Sequence, residues 1–263
     1  MKTEIEQKLI ADFESFYGKE PLLVARAPGR LEILGNHTDY NEGLVLSAAV
    51  EQSTFFAISP SKGDICRIFS SGWKDKPEEF SISGLEEKIP GDWKNYVKGV
   101  LCEIRIRGFQ LGAFDAGVIS DLPLSSGMSS SAALEISACL AFEKAFGLDF
   151  SPVERAKIGQ ASENKYIGVK TGLLDQFSSI FGKKDSLILC DFRENKVLRN
   201  VSLPQGYSII VVNSMIKHDL ADSDYNTRRE SCERAAAEIA KFAKNVKTLR
   251  DVDSKLLEEF RGK

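Results

Sequence analysis

Between residues 22 and 70 the chain repeats one pattern, in which short apolar, β-branched clusters are divided by turn-forming residues. The clusters are "LLVARA", "GRLEILG", "LVLSAAV", "STFFAIS" and "DICRIFS". Runs this short, bounded by Gly, Pro, Asn and Ser, suit strands rather than helices, so the first third is expected to be rich in sheet. A helix over residues 4–17 precedes it. The period then changes: "DWKNYVKGVLCEIRIRG" sets Trp93, Tyr96, Val97, Val100, Leu101 and Ile104 on one helix face, with Gly108 as the stop. "AFDAGVIS" follows as a strand, and residues 131–146 form a helix closed by Gly147. Ser151 and Pro152 open another, as N-cap and first helical residue. A further helix covers residues 174–181, "SLILCDF" and "GYSIIVVNS" read as buried strands, and "SDYNTRRESCERAAAEIAKFA" reads as a long amphipathic helix. Strands first, then helices with strands interspersed, predict an α+β layered fold rather than strict βαβ repetition.

Composition narrows the function class. Thirty-five Lys and Arg stand against 38 Asp and Glu, a net charge of −3, and the basic residues are dispersed. No nucleic-acid-binding footprint results, and affinity for polyphosphate would need a local device. Five separated cysteines without a CxxC or Cys/His spacing read as reduced thiols rather than a zinc site. The N-terminus carries acids throughout, unlike a secretory leader, and no apolar run approaches the ~18 residues of a membrane span. A cytoplasmic protein without a membrane partner is expected.

Three stretches carry chemistry. "SGMSSSAALE", Ser126 to Glu135, lies between a strand and a helix, where helix-terminal N–H groups and the helix dipole favour an anion. Gly127 permits close approach of a phosphate, and the serines add hydroxyls for phosphate or magnesium; a serine-capped solvated loop fits the same letters. Neither GxxxxGK[ST] nor GxGxxG is present. "RAPGRLEILGNHTDYNEG" projects Asn36, His37, Asp39 and Tyr40 from one short loop, an array suited to sugar hydroxyls or, more simply, to a turn. In "SENKYIGVKTGLLDQFSSIFG", Asp175 and Gln176 open a helix behind Gly172, a placement that the helix dipole alone can explain.

Together these stretches resemble the galactokinases of the GHMP small-molecule kinase superfamily. "APGRLEILGNHTDYNEGLVL" is similar to the galactokinase signature, "LPLSSGMSSSAALE" to the superfamily's phosphate loop and "GLLDQFSSIFG" to its catalytic-aspartate segment. A fourth stretch, Val212 to Ala236, resembles the segment that supplies a sugar-contacting tyrosine. The resemblance implies phosphorylation of galactose at its anomeric hydroxyl by ATP. Asp175 then matches the catalytic aspartate and Arg30 the arginine beside it. Ser125, Ser126, Gly127, Met128, Ser129, Ser130 and Ser131 match the residues around the nucleotide phosphates, with Ser131 and Glu163 at the positions of the Mg2+ ligands. Asn36, His37, Thr38, Asp39 and Tyr225 fall in the sugar-binding set. Trp93 is expected either beside the adenine or in the core.

The implied fold is a two-domain GHMP kinase: an N-terminal domain resembling the second domain of ribosomal protein S5, over residues 1–205, and the opening of a ferredoxin-like domain over 206–263. A monomer is expected for the full-length protein. Two departures qualify the match. Asn36 replaces the glutamate of "GEHTDY", losing a charge and gaining two donors, which is expected to tolerate a sugar altered at that hydroxyl, such as galacturonate. The chain also stops before a C-terminal glycine-rich motif of the family, so a fragment or a shortened chain with uncovered apolar surface is expected. The readings that compete with a galactokinase are a kinase for N-acetylgalactosamine, arabinose or galacturonate, a sugar and ATP sensor without turnover, and an inactive fragment.

Overall fold

The structure is a computed structural model that describes residues 3–73, 76–123, 126–213 and 225–261. Its centre is a seven-stranded sheet. Helix α1 (Glu4–Tyr17) begins at Thr3, whose hydroxyl accepts the Glu6 N–H, and stops at Gly18 in the left-handed region. Strand β1 (Leu23–Leu34) runs antiparallel to the long β2 (Leu44–Pro60). Farther along β2 come pairings with β5 (Phe114–Ser120) and β6 (Ser186–Asp191). β3 (Ile65–Ser70) lies parallel to β5, β4 (Glu78–Ser81) flanks β3, and β7 (Lys196–Ser202) flanks β6.

Helices cover the sheet. α2 (Lys94–Ile106), α3 (Ser130–Phe146) and α4 (Pro152–Ala161) share a core with β2, β3 and β5, in which Phe56, Ile68, Leu101, Phe114 and Phe142 are inaccessible to solvent. α3 is apolar nearly all round, as befits a helix buried on several sides. α4 starts at a complete capping box between Ser151 and Glu154, with Pro152 at the first helical position. It passes directly into a π-helical segment, Ser162–Ile167, of the kind that often marks functional sites. α5 (Leu174–Phe181) packs Leu174 and Phe177 against Val45, Ile188 and Cys190, and Ser179 Oγ donates to Pro28 O at 2.7 Å. α6 (Tyr225–Ala240) and α7 (Ser254–Phe260) form a small separate cluster around Ala236, Ile239 and Val246.

The sheet differs from the sequence-based expectation in how its strands are divided. "LLVARA" and "GRLEILG" are one strand: Pro28 and Gly29, which look like a turn, sit at a register shift, where a proline without an N–H is tolerated. "LVLSAAV" and "STFFAIS" are likewise one strand, β2. The segment "GYSIIVVN", by contrast, is not a buried strand. Residues 207–213 belong to no strand, and Ile210 and Val212 are each 84% exposed. An apolar run becomes a strand only where a neighbouring strand can take its hydrogen bonds, and none among the described residues does so here.

Candidate active site

A cavity of about 290 Å³ opens where β1, the loop before α3, the π segment and the first turn of α5 converge. Strand β1 aims Arg30 into it. Arg30 Nε and Nη2 both reach Asp175 Oδ1, at 2.8 and 2.7 Å, while Nη1 donates to Gly127 O at 2.5 Å. The other carboxylate oxygen of Asp175 accepts from Ser129 Oγ at 2.6 Å. One guanidinium therefore fixes the serine-glycine loop and the first turn of α5 to the same strand. Its planar fork makes this possible where a lysine's point charge could not.

The loop itself is preset. Gly127 and Ser129 have φ of 74° and 56°, and Ser129 is the residue before α3, so its left-handed backbone turns the chain sharply into that 17-residue helix. Ser126 through Ser131 line the cavity, which puts the start of α3 on its wall. Deeper, Ser131 Oγ donates to Glu163 Oε1 at 2.8 Å, and the second oxygen of Glu163 accepts from Thr171 Oγ1 at 2.8 Å and Gln176 Nε2 at 3.0 Å. Burial, with Asp175 nearby, pushes the Glu163 carboxyl above the usual carboxylate range. Gln176 Nε2 also donates to Glu135 Oε2 at 3.1 Å. Glu135 is inaccessible to solvent, and burial raises its pKa well above the ordinary glutamate value. Among the described residues, Glu135 Oε1 and Gln176 Oε1 are both buried without a hydrogen-bond partner.

The opposite wall comes from the loop after β1. Asp39 is buried against the start of α5, accepting the Leu174 N–H at 3.2 Å. Burial raises its pKa, and that hydrogen bond opposes the rise. Gly172 is required here because a Cβ at this position would overlap the Asp39 carboxylate. His37, at φ 62°, shares a hydrogen bond with Tyr40 Oη through Nδ1 at 2.8 Å, and its ring stands 5.2 Å from that of Tyr225. Burial, with Arg228 adding to it, holds the imidazole below its usual pKa. Helix α6 brings Tyr225 in by clamping the 168–172 loop: Asn226 Oδ1 accepts from Lys170 N, and Arg229 Nη1 donates to the carbonyls of Lys170 and Thr171.

Arg30, Asn36, His37, Asp39, Tyr225, Ser126–Ser131, Glu163 and Asp175 thus line one cavity. Thr38 does not; its hydroxyl is engaged with the carbonyls of Gly35 and Leu44 and staples its own loop. Ser125 lies outside the described residues, as does the part of the tyrosine segment from 214 to 224. Trp93 packs against the main core, whereas Tyr96, three residues on, lines the cavity. Sequence reasoning passed over Glu32, Tyr96 and Thr171 as site residues, and also Gln176, whose place beside Asp175 was the only hint. The alternation along β1 was the available signal for Glu32, since residues two apart on a strand share a face.

Residues 11–60 match the galactokinase galactose-binding signature and residues 95–183 the GHMP kinase N-terminal domain. Galactokinase from Actinobacillus pleuropneumoniae serotype 3 is 40% identical over 249 residues, which cover 94% of this chain and 63% of that protein. The chain belongs to the galactokinase family. Galactokinase from Chloroflexus aggregans is 35% identical over 252 residues, covering 96% of this chain and 64% of the relative. The crystal structure of Lactococcus lactis galactokinase complexed with galactose superposes with a TM-score of 0.88 at 28% identity, covering 96% of this chain and 66% of that one. Methanococcus jannaschii mevalonate kinase, at 19% identity and a TM-score of 0.57 over 67% of this chain and 56% of its own, shares the fold. The α+β GHMP kinase fold expected from the sequence is therefore present. The chain spans less than two thirds of the length of the curated galactokinases it matches. Among the described residues no helix is long and apolar enough to cross a membrane.

Proposed function

We propose that this galactokinase-family chain carries the catalytic constellation of an ATP-dependent sugar 1-kinase acting on galactose. The observation that supports this most is the Arg30–Asp175–Ser129 cluster set between the serine-glycine loop and the His37–Asp39–Tyr225 wall. Phosphoryl transfer needs chiefly alignment of a hydroxyl with the γ-phosphate and compensation of charge on the transferring group. Asp175 faces the cavity with its first oxygen held by Arg30 and its second by Ser129, so its orientation is set before a substrate arrives. It accepts the hydrogen of the anomeric hydroxyl, and Arg30 moderates the negative charge that develops around it. The amides of the Ser126–Ser131 wall receive the phosphates.

Ser131 and Glu163 offer a hydroxyl and a carboxylate oxygen 2.8 Å apart, a donor set that suits a magnesium ion taking its remaining ligands from phosphate and water. Bound there, the ion supplies neutralisation of phosphate charge. The sugar lies against Asn36, His37, Asp39 and Tyr225, and residues 1–205 and 206–263 correspond to the first domain and the opening of the second. The full-length protein acts in the cytoplasm as a monomer.

The test is ADP release in a coupled assay with magnesium-ATP and a panel of galactose, N-acetylgalactosamine, arabinose and galacturonate. The expected result is turnover that requires a sugar, is fastest with galactose and disappears in Asp175→Asn. Galactose binding without ADP release would instead support a sensor.

A further inference from the structure

Four carboxylates line the cavity: Glu32, Asp39, Glu163 and Asp175. Three are occupied by the protein itself. Asp39 accepts from the Leu174 N–H, Glu163 from Ser131, Thr171 and Gln176, and Asp175 from Arg30 and Ser129. Glu32 has no hydrogen bond or ion pair among the described residues, although it is half-buried and its neighbouring charges are Arg30, Asp39 and Asp175. Burial raises its pKa, which fits a carboxyl turned into the cavity rather than into bulk water. The geometry of β1 explains the direction. Register with β2 is unbroken from Arg30 (opposite Ala49) to Glu32 (opposite Ser47), so Glu32 shares the face on which Arg30 reaches Asp175.

A half-buried acceptor left open in a cavity is where a ligand donor belongs, because the group's lost hydration is then restored on binding. Asn36, which lines the same cavity, is neutral and its side chain is likewise without a hydrogen bond among the described residues. We propose that Glu32 is the sugar-binding carboxylate of this chain, accepting a hydroxyl hydrogen of the hexose and selecting neutral sugars over sugar acids. This rests on the sugar-kinase reading of the cavity. The charge absent at position 36 is thereby present at position 32, and it repels the galacturonate carboxylate that Asn36 alone would admit. A hydrogen bond to a charged group, once made in a desolvated site, is among the stronger single contacts a polar ligand can gain.

The experiment is calorimetric titration of galactose, galacturonate and magnesium-ATP into the full chain and its Glu32→Gln variant. Wild type is expected to bind galactose at least about tenfold more tightly than galacturonate, and Glu32→Gln to lose about tenfold in galactose affinity while narrowing that gap and binding magnesium-ATP unchanged. Equal galactose affinity in wild type and Glu32→Gln, or equal affinity of wild type for the two sugars, overturns the proposal and leaves the kinase reading intact. Should Glu32→Gln fail to bind nucleotide because it does not fold, Asn36→Glu decides: no gain in galactose affinity is expected, since the acceptor is already supplied, and a tenfold gain contradicts Glu32 as that acceptor. A wild-type chain that binds magnesium-ATP but neither hexose removes the sugar-kinase reading, and this proposal with it.

Discussion

The two walls of the cavity differ in how their polar groups are satisfied. On the wall of Arg30, Ser129, Ser131, Glu163 and Asp175, the side chains are bonded to one another. On the other wall, Asn36 has no hydrogen-bond partner among the described residues, nor has Glu32 where β1 leads toward that wall, and His37, Tyr40 and Tyr225 meet through their rings and one hydrogen bond between His37 and Tyr40. A reacting group gains from a fixed environment, because no reorganisation is left for the moment of reaction. A recognition surface gains from open hydrogen-bonding valences, because a ligand that fills them is favoured over one that does not.

The largest expected effects lie on the bonded wall. Asp175→Asn keeps the shape but removes the acceptor for the sugar hydroxyl, and kcat should fall by about 10²–10⁴ with the KM for galactose changed far less. Single-turnover and steady-state kinetics would show it; a loss confined to KM would mean that the two walls do not divide the work. Arg30→Lys is next. One ammonium cannot hold both Asp175 and Gly127 as the guanidinium fork does, so kcat should drop by about 10²-fold and the nucleotide affinity by less.

On the open wall the order reverses. Tyr225→Phe removes only a hydroxyl, one that the Gly172 N–H meets at 3.5 Å, and should raise the KM for galactose a few-fold at nearly constant kcat. The smallest effect concerns stability beneath the bonded wall. Because burial raises the Glu135 pKa in the folded state, the native protein holds a proton there that the unfolded chain releases above its ordinary pKa of ~4.3. Wild type consequently loses stability as pH rises from that value through the folded pKa, while Glu135→Gln has no such loss. Thermal unfolding should find the variant's Tm rising relative to wild type between pH 5 and 8, by about 2–4 °C for each ~1 kcal/mol recovered. A constant difference across that range would indicate that Glu135 is ionised in the native state.

How much of this was visible in the sequence depended on whether the deciding contacts were local. The start of α4 was legible because Ser151, Pro152 and Glu154 carry the whole cap within four residues. The span of α5 was equally plain, and Asp175 fell in its first turn. Pro28 and Gly29 misled, since a bulge in a long strand and a turn between two short ones use the same residues. Strand β7 went unread because its residues are mostly polar and exposed, and only its pairing with β6 makes it a strand. In the site, the motif stretches carried Arg30, Asp175 and Glu163 across. They could not reveal that Arg30 also holds the Gly127 carbonyl, or that Gln176 bridges Glu163 to Glu135, because those contacts join residues far apart in the chain.

The proposed function is transfer of a phosphoryl group to the anomeric oxygen of galactose under the control of Asp175. Its most direct test is phosphorus NMR of a reaction holding the chain, galactose and magnesium-ATP, beside the same reaction with Asp175→Asn. An anomeric phosphate resonance coupled to the sugar's H1 is expected, growing in step with ADP and absent from the variant's spectrum. A phosphate on another hydroxyl, or a sugar phosphate formed equally by the variant, would contradict it.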